Sequence, residues 1–161
     1  MENKVIFLDI DGVITSARTG WHNLDIYAVN FLRWFCKESG AKIVISSTWR
    51  YNHDAEFWRS IFGDYMHDSF RTTRAHLEIR GLEIEDWLRS HPEVTEYLIL
   101  DDDSDMLDDQ KDRLILTDAM NGLLFEGMCK MLELFDVQSL PRQKDIYQHD
   151  NMFEDFNRDR P

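Results

Sequence analysis

Three short apolar runs in the sequence, each of three or four residues, are followed at once by side chains that could carry phosphoryl chemistry. These side chains belong to Asp9, Asp11, Ser46, Asp101 and Asp102. In an open parallel sheet, ligands bind at the edge where the carboxyl ends of the strands meet. If the three runs are strands of one such sheet, the five side chains converge on one pocket although they are far apart in sequence.

The spacing of Asp9 and Asp11 suits a pair of carboxylates with different tasks. Two aspartates two residues apart, leaving a strand and followed by Gly12, can point into one pocket from a turning backbone. One carboxylate can then attack phosphorus and form an acyl phosphate, while the other exchanges a proton. Aspartate and glycine are also common turn residues, so the pair by itself is weak evidence for this chemistry.

The number of carboxylates predicted at this edge requires a cation. Without one, carboxylates that face a phosphate repel each other and the substrate. Hard oxygen ligands select Mg²⁺, which is held by few protein carboxylates and keeps several of its waters. Asp101 and Asp102 supply the further oxygen ligands from a different run. The sequence therefore predicts a Mg²⁺ site for a phosphorylated ligand.

Predicted strands and helices alternate along the chain, which is the order that builds a parallel sheet by right-handed crossovers. Short, continuous apolar runs predict strands that are buried on both faces. These strands are residues 5–8, 43–45, 97–100 and 114–116. Between residues 49 and 80 the composition is mixed, and the pattern there predicts only one helix, near 54–62.

Apolar residues at three- and four-residue steps predict the other helices. The first begins near Leu24, with Asp25 as a possible cap, and stops at Gly40. Two more are predicted over residues 81–90 and 123–135. The candidate core residues of the last helix are Met128, Cys129, Met131, Leu132 and Phe135.

The bulk composition describes one globular domain. The chain has 161 residues, 43% of them hydrophobic, and a net charge of −13, which disfavours non-specific nucleic-acid binding and anionic membranes. The two cysteines lie in helix-like patterns, and no long apolar segment occurs near the first strand, so we expect a reduced, cytoplasmic protein without a membrane partner. We expect a domain over residues 1–136 and a polar tail over 137–161, with a short helix near 146–156 or a partly ordered arm. The oligomeric state stays open.

Four segments resemble, in the same order, the four motifs of the haloacid dehalogenase-like (HAD-like) phosphatases. They are VIFLDIDGVIT, IVISS, the arginine of EIRG and LILDDDSD. The phrases AKIVISSTWR, RGLEIEDWL and YLILDDDSDM are similar to the branch found in Swiss Army Knife RNA repair proteins and, more distantly, to the 3′-phosphatase domain of polynucleotide kinase-phosphatase. The resemblance spans about Val5 to Leu124 and implies an α/β fold with a three-layer, Rossmann-like, doubly wound parallel sheet.

The resemblance implies roles for the aspartates. Asp9 attacks phosphorus, while Asp11 protonates the leaving oxygen and later activates the hydrolytic water. An aspartate at the position of Asp11 favours a phosphatase over a dehalogenase. Mg²⁺ is held by the Asp9 carboxylate, the Asp11 main-chain carbonyl and Asp102, with Asp101 or Asp105 as a ligand directly or through water.

The resemblance also implies groups that bind the phosphoryl oxygens. Ser46 holds one of them, with Ser47 as the alternative if the strand runs one residue longer. Arg80 offsets the negative charge that develops in the transition state. Arg71 and Arg74 are nearby candidates for the same task.

The intervals between the motifs are too short for a full cap domain, so we expect an uncapped or minimally capped site. An open site suits a phosphate on the end of a large molecule, such as a nucleic-acid 3′-end. Side chains near the motifs could stack on such an end or bind its phosphates. They are Trp21, His22, Trp49, Arg50, Arg71 and Arg74, and Gly12 and Ser47 complete the expected substrate-binding set.

Other functions fit parts of the pattern. A phosphatase for proteins or small metabolites, and a HAD-fold binding module without activity, stay open as alternatives. A calcium-binding EF-hand beginning at Asp101 is disfavoured because Met106 stands where that loop needs glycine. A phosphoacceptor receiver domain would place its acceptor aspartate after the first acidic pair, whereas here the acidic cluster comes last.

Overall fold

The computed structural model describes residues 3–73 and 79–147. Within these ranges the chain forms five strands, which are β1 (Asn3–Leu8), β2 (Lys42–Ile45), β3 (Met66–Arg71), β4 (Val94–Asp101) and β5 (Leu114–Leu116). They form one sheet in the order β3-β2-β1-β4-β5, and every neighbouring pair is parallel. The predicted α/β parallel-sheet architecture is confirmed.

Helices cover both faces of the sheet. The α-helices are α1 (Ile26–Ser39), α2 (Ala55–Phe62), α3 (Arg80–Ser90), α4 (Phe125–Leu134) and α5 (Gln143–Ile146). Short 3-10 helices span Thr48–Tyr51, Gly63–Tyr65 and Asp108–Arg113. In the described ranges, no helix has the length and apolar character needed to cross a bilayer.

Alternation along β1 divides the core between the two faces of the sheet. Ile6 and Leu8 are fully buried in a large cluster with α1, α2 and α4. Val5 and Phe7 are buried on the opposite face, in a smaller cluster that includes Trp87 of α3. Because both faces are covered, β1 is a continuous apolar run, and this is why its pattern is easy to detect in the sequence.

Helix α1 begins and ends where its sequence signals predict. The Asp25 side chain accepts hydrogen bonds from the backbone N–H groups of Tyr27 at 3.0 Å and Ala28 at 3.3 Å. Gly40 ends the helix in the left-handed conformation, with φ of 75°. The predicted helices near residues 54–62, 81–90 and 123–135 are also confirmed, each within two residues at either end.

The pattern between residues 49 and 80 predicted only one helix and missed the strand β3, which lies there. Its sequence, MHDSFR, is largely polar, and only Met66 is fully buried. In the described part of the sheet, β3 pairs only with β2 and forms one edge. Edge strands carry polar side chains, so a search for apolar runs does not detect this one.

The closing helix buries fewer residues than predicted. Met131 and Phe135 are buried, and Met128 and Leu132 pack against the core with partial exposure. Cys129 is exposed, so its prediction as a core residue was wrong. It lies between Met128 and Lys130, on the part of α4 that faces away from the sheet.

The beginning of the polar tail packs on α1. The Asn30 side-chain amide donates to the backbone carbonyl of Ile146 at 2.9 Å, and the rings of Tyr27 and Tyr147 meet edge to face at 5.0 Å. Residues 148–161 lie outside the described ranges. Most of the helix predicted near 146–156 therefore lies outside them too.

Candidate active site

Three adjacent strands end in register at the site. The backbone N–H of Asp9 donates to the carbonyl of Leu100 in β4 at 2.9 Å. On the other side, the N–H of Ser46 donates to the carbonyl of Leu8 in β1 at 3.0 Å. These bonds bring Asp9, Ser46 and Asp101 to one edge of the sheet, which is the edge where parallel α/β sheets bind ligands.

Three carboxylates meet at this edge. Asp9, Asp101 and Asp102 each present an oxygen, and the three oxygens lie within 4.8 Å of one another. Asp9 and Asp101 are buried, and Asp102 is half-buried. Hard oxygen ligands at this spacing suit a small divalent cation such as Mg²⁺.

The surroundings of the cluster do not fully stabilise the ionised form of its carboxylates. Burial raises the pKa of Asp9, and Arg80 lowers it only in part. Burial and the nearby Asp9 carboxylate together raise the pKa of Asp101 to about 7. The Asp101 Oδ2 atom is also buried and accepts no hydrogen bond from the described residues, although Arg80 Nε lies 3.3 Å away as an ion-pair partner. These features fit a group of carboxylates that binds a cation.

Among the described residues, Arg80 is the cation that lies beside the carboxylates. Its side chain lies at the start of α3, with Nη2 3.7 Å from Asp9 Oδ1 and Nε 3.3 Å from Asp101 Oδ2. Its Nη1 is buried, and no described residue accepts a hydrogen bond from it. The competing candidate Arg71 instead donates to the backbone carbonyl of Arg50 at 2.8 Å. Arg74 lies outside the described residues.

Ser46 and Ser47 lie beside the carboxylates in different environments. Ser46 is fully buried, and its Oγ has no hydrogen-bond partner within the described parts of the chain. The Ser47 side chain hydrogen-bonds the Asp9 carboxylate and also accepts from the backbone N–H of Trp49 at 3.3 Å. The hydroxyl of Ser46 therefore retains a donor, as a group that binds a phosphoryl oxygen must.

Asp11 is exposed, unlike Asp9, and both of its oxygens accept hydrogen bonds. Thr15 Oγ1 donates to Oδ1 at 2.8 Å, and the indole nitrogen of Trp49 donates to Oδ2 at 2.8 Å. Trp49 was predicted to contact substrate, and Thr15 was not among the predicted site residues. Thr15 is brought beside Asp11 by a tight loop in which the Gly12 N–H donates to the Thr15 carbonyl at 2.8 Å, a contact that only the structure reveals.

Asp105 lies outside the three-carboxylate cluster. Its Oδ2 accepts from the backbone N–H of Arg80 at 3.1 Å, at the first residue of α3. A carboxylate at a helix N-terminus is stabilised by the unpaired N–H groups there. In this arrangement Asp105 fixes the start of the helix that carries Arg80.

Gly12 allows close packing against Asp102. Its φ is +78°, and a Cβ built on it would lie 2.3 Å from Asp102 Oδ2 and 2.7 Å from Asp102 Cβ. Because the contact includes Cβ, the Asp102 side chain cannot swing clear of it. Gly12 also accepts at its carbonyl from Thr117 Oγ1 at 2.6 Å. In the structure, Gly12 therefore packs against Asp102, one of the three carboxylates of the cluster.

Gly12→Ala is expected to destabilise the protein more than Gly40→Ala does. Both glycines have positive φ, at +78° and +75°, which costs a residue with Cβ about 1–2 kcal/mol. Only Gly12 adds a steric clash, because nothing lies within 4 Å of a Cβ at Gly40. We expect Gly12→Ala to lower the free energy of unfolding by about 1–3 kcal/mol more than its control. Urea titration measures the difference, and equal losses would contradict the packing of Gly12 on Asp102.

The prediction that Arg50 contacts substrate is not supported by its position. Arg50 is 2% exposed, and its Nη2 lies 2.7 Å from Glu83 Oε2. The same guanidinium donates to the Tyr51 hydroxyl at 2.8 Å and to the backbone carbonyl of Ser46. Its hydrogen bonds are made with the protein, and they tie the end of β2 to α3. We therefore leave Arg50 out of the proposed site.

Glu83→Gln is expected to lower the free energy of unfolding by about 3–5 kcal/mol, because it leaves the buried Arg50 charge without a counterion. Glu85→Gln, which removes one of the two acidic partners of the exposed Arg89 on the same helix, is the control and is expected to cost less than about 1 kcal/mol. Chemical denaturation measures both losses. A small loss for Glu83→Gln would contradict a structural role for Arg50.

The comparisons with known proteins give one match. The family model described as the HAD domain in Swiss Army Knife RNA repair proteins matches residues 5–126. Neither the comparison with curated proteins nor the comparison with solved structures gave a match. The matched span contains Asp9, Ser46, Arg80 and Asp101 together with the residues that position them.

Proposed function

We propose that the chain, which belongs to the family of HAD domains in Swiss Army Knife RNA repair proteins, hydrolyses phosphomonoesters through an aspartyl-phosphate on Asp9. The family supports a phosphatase-like activity. The observation that carries the proposal is the cluster of Asp9, Asp101 and Asp102 with Arg80 beside it. A carboxylate cluster paired with one arginine suits a site that binds a cation and a phosphate together.

In the first step, an Asp9 carboxylate oxygen attacks phosphorus, and the bond from phosphorus to the leaving oxygen breaks. Arg80 lies 3.7 Å from Asp9 and can stabilise the charge that develops on the phosphoryl oxygens. Ser46 Oγ can donate to another of these oxygens. A protonated Asp11 gives its proton to the leaving oxygen, so the product departs as an alcohol.

In the second step, Asp11 accepts a proton from water, and the water oxygen attacks the phosphorus of the aspartyl-phosphate. The bond from phosphorus to the Asp9 oxygen breaks, which releases inorganic phosphate and restores the Asp9 carboxylate. Asp11 ends the cycle protonated and ready for the next leaving group. The difference in exposure between buried Asp9 and exposed Asp11 suits this division of work.

Mg²⁺ is the cofactor we propose for this site. The Asp9 and Asp102 carboxylates and the Asp11 main-chain carbonyl would hold it, with Asp101 directly or through water. Bound there, it supplies the positive charge that offsets the carboxylates and the phosphate.

The proposed substrate is the phosphate at a nucleic-acid end, most simply a 3′-end. Membership in a family of HAD domains from RNA repair proteins supports this choice. Trp21, on the loop that follows Asp11 and Gly12, is 40% exposed and offers a ring on which a base can stack. The net charge of −13 supports contact with an end over contact along a strand.

Release of inorganic phosphate, measured with and without Mg²⁺, tests the proposal. The substrates are p-nitrophenyl phosphate and RNA and DNA oligonucleotides that carry either a 3′- or a 5′-phosphate. We expect turnover that requires Mg²⁺ and favours one oligonucleotide end. Turnover of p-nitrophenyl phosphate alone would support a protein or small-metabolite phosphatase. No turnover of any substrate, with Mg²⁺ still bound, would support a binding module without activity.

A further inference from the structure

We infer that Trp49 is a positioning residue for Asp11, holding the proton-transfer carboxylate toward the leaving oxygen by a hydrogen bond from its indole N–H. The inference rests on the proposed function and adds a residue to it. Trp49 then acts through Asp11 and has a task other than stacking on a substrate base.

The hydrogen bonds at Asp11 fix the plane of its carboxylate. The Trp49 indole donates to Oδ2 at 2.8 Å, while Thr15 Oγ1 donates to Oδ1 at 2.8 Å. An indole N–H can only donate, so the Asp11 oxygen must be the acceptor in this hydrogen bond. Each carboxylate oxygen has two lone pairs, and Oδ2 can therefore accept from Trp49 and still exchange a proton with substrate or water.

Trp49 is itself held in place. Its ring stacks on His53 with centroids 5.2 Å apart and planes 17° apart, and His53 lies 4.0 Å from the ring of Phe57 in α2. The Ser47 side chain accepts from the Trp49 backbone N–H, and the Trp49 carbonyl lies 3.2 Å from His53 Nδ1. The indole is therefore an anchored donor whose position is set by the segment after β2.

Asp11 needs such an anchor more than Asp9 does. Asp9 is buried beside Arg80 and Ser47, whereas Asp11 is exposed and its other oxygen accepts a hydrogen bond from Thr15. A catalytic group that moves by about 1 Å can lose about 100-fold in rate. Loss of the indole N–H should therefore weaken proton transfer while leaving phosphate binding and the attack by Asp9 in place.

The test compares Trp49→Phe with wild type on two substrates. p-Nitrophenyl phosphate has a leaving group that departs as a stable anion, whereas the leaving oxygen of benzyl phosphate requires a proton. We expect kcat/KM for benzyl phosphate to fall about 10-fold or more, and kcat/KM for p-nitrophenyl phosphate to fall less than about 3-fold. An equal loss on both substrates, or no loss on either, would overturn the inference.

Two variants separate positioning from a general loss of structure. Trp87→Phe removes an indole that donates to the Ser69 carbonyl at 3.3 Å, away from the carboxylates, and is expected to leave the ratio of the two kcat/KM values unchanged. In an Asp11→Asn background, Trp49→Phe is expected to have no further effect on that ratio. A full additional loss in that background would overturn the inference.

A spectroscopic measurement tests the hydrogen bond without activity. The chain has five tryptophans, so the indole N–H signal absent from Trp49→Phe identifies Trp49 in an NMR spectrum. We expect Asp11→Asn to shift this signal and to leave the Trp87 signal in place. An unmoved Trp49 signal would overturn the inference. Absence of turnover by wild type would count against the proposed function, whereas turnover with an unmoved signal would count against the inference alone.

Discussion

Asp9→Asn is expected to lower kcat for phosphomonoester hydrolysis by about 10⁴-fold or more, because an amide oxygen is a poor nucleophile toward phosphorus. The substitution keeps the shape of the side chain, so the substrate pocket should be preserved. Phosphate release in the presence of saturating Mg²⁺ measures the loss. A variant that retains a tenth of the wild-type rate would contradict the role of Asp9 as nucleophile.

The same substitution is expected to leave the free energy of unfolding unchanged or higher. Burial and neighbouring carboxylates disfavour the charged form of Asp9, and the amide removes one negative charge from the cluster. Asp108→Asn, at an exposed residue that pairs with Lys111, is the control for both measurements and should change neither. Loss of activity together with loss of folding would make the rate uninformative, and the denaturation curve detects that case.

Arg80→Gln is expected to lower kcat/KM by about 10²–10³-fold. The guanidinium lies 3.7 Å from Asp9 and 3.3 Å from Asp101, and it is the cation that the described structure places at the cluster. Removing a charged donor aimed at the transition state typically costs this much. Steady-state kinetics on p-nitrophenyl phosphate measure the effect.

Arg89→Gln is the matched control for Arg80→Gln. Arg89 lies near the other end of α3, its side chain is 68% exposed, and it pairs with Glu85 on the surface. We expect kcat/KM to be unchanged. An effect of Arg80→Gln below about 3-fold would contradict its role. The same assay on Arg71→Gln and Arg74→Gln would then identify the cation that offsets the phosphoryl charge.

Much of the fold follows from the apolar pattern of the sequence. β1, β2 and the inner part of β4 are buried on both faces, so their side chains form unbroken apolar runs. β3 could not be found in this way, since it is an edge strand whose side chains are mostly polar. Cys129 was misplaced because a helical period does not by itself fix which of two adjacent residues faces the sheet.

Part of the candidate site could also be predicted from the sequence, because the predicted parallel strands fix which strand ends lie together. Strand order brings Asp9, Ser46 and Asp101 to one edge, and this follows from parallel topology alone. The environment of Arg50 does not follow, because its partner Glu83 is 33 residues away and on another element. The bond from Trp49 to Asp11 is equally long-range, and only the packed structure reveals it.

Direct detection of the phosphorylated residue is the measurement that tests the central proposal. Asp11→Asn protein, in which hydrolysis of the intermediate is slowed, is mixed with p-nitrophenyl phosphate and Mg²⁺, quenched in acid, digested and analysed by mass spectrometry. We predict one added phosphoryl group on the peptide that contains Asp9, and none when Asp9 is also replaced by asparagine. Phosphate on another residue, or turnover without any phosphorylated peptide, would contradict the proposed mechanism.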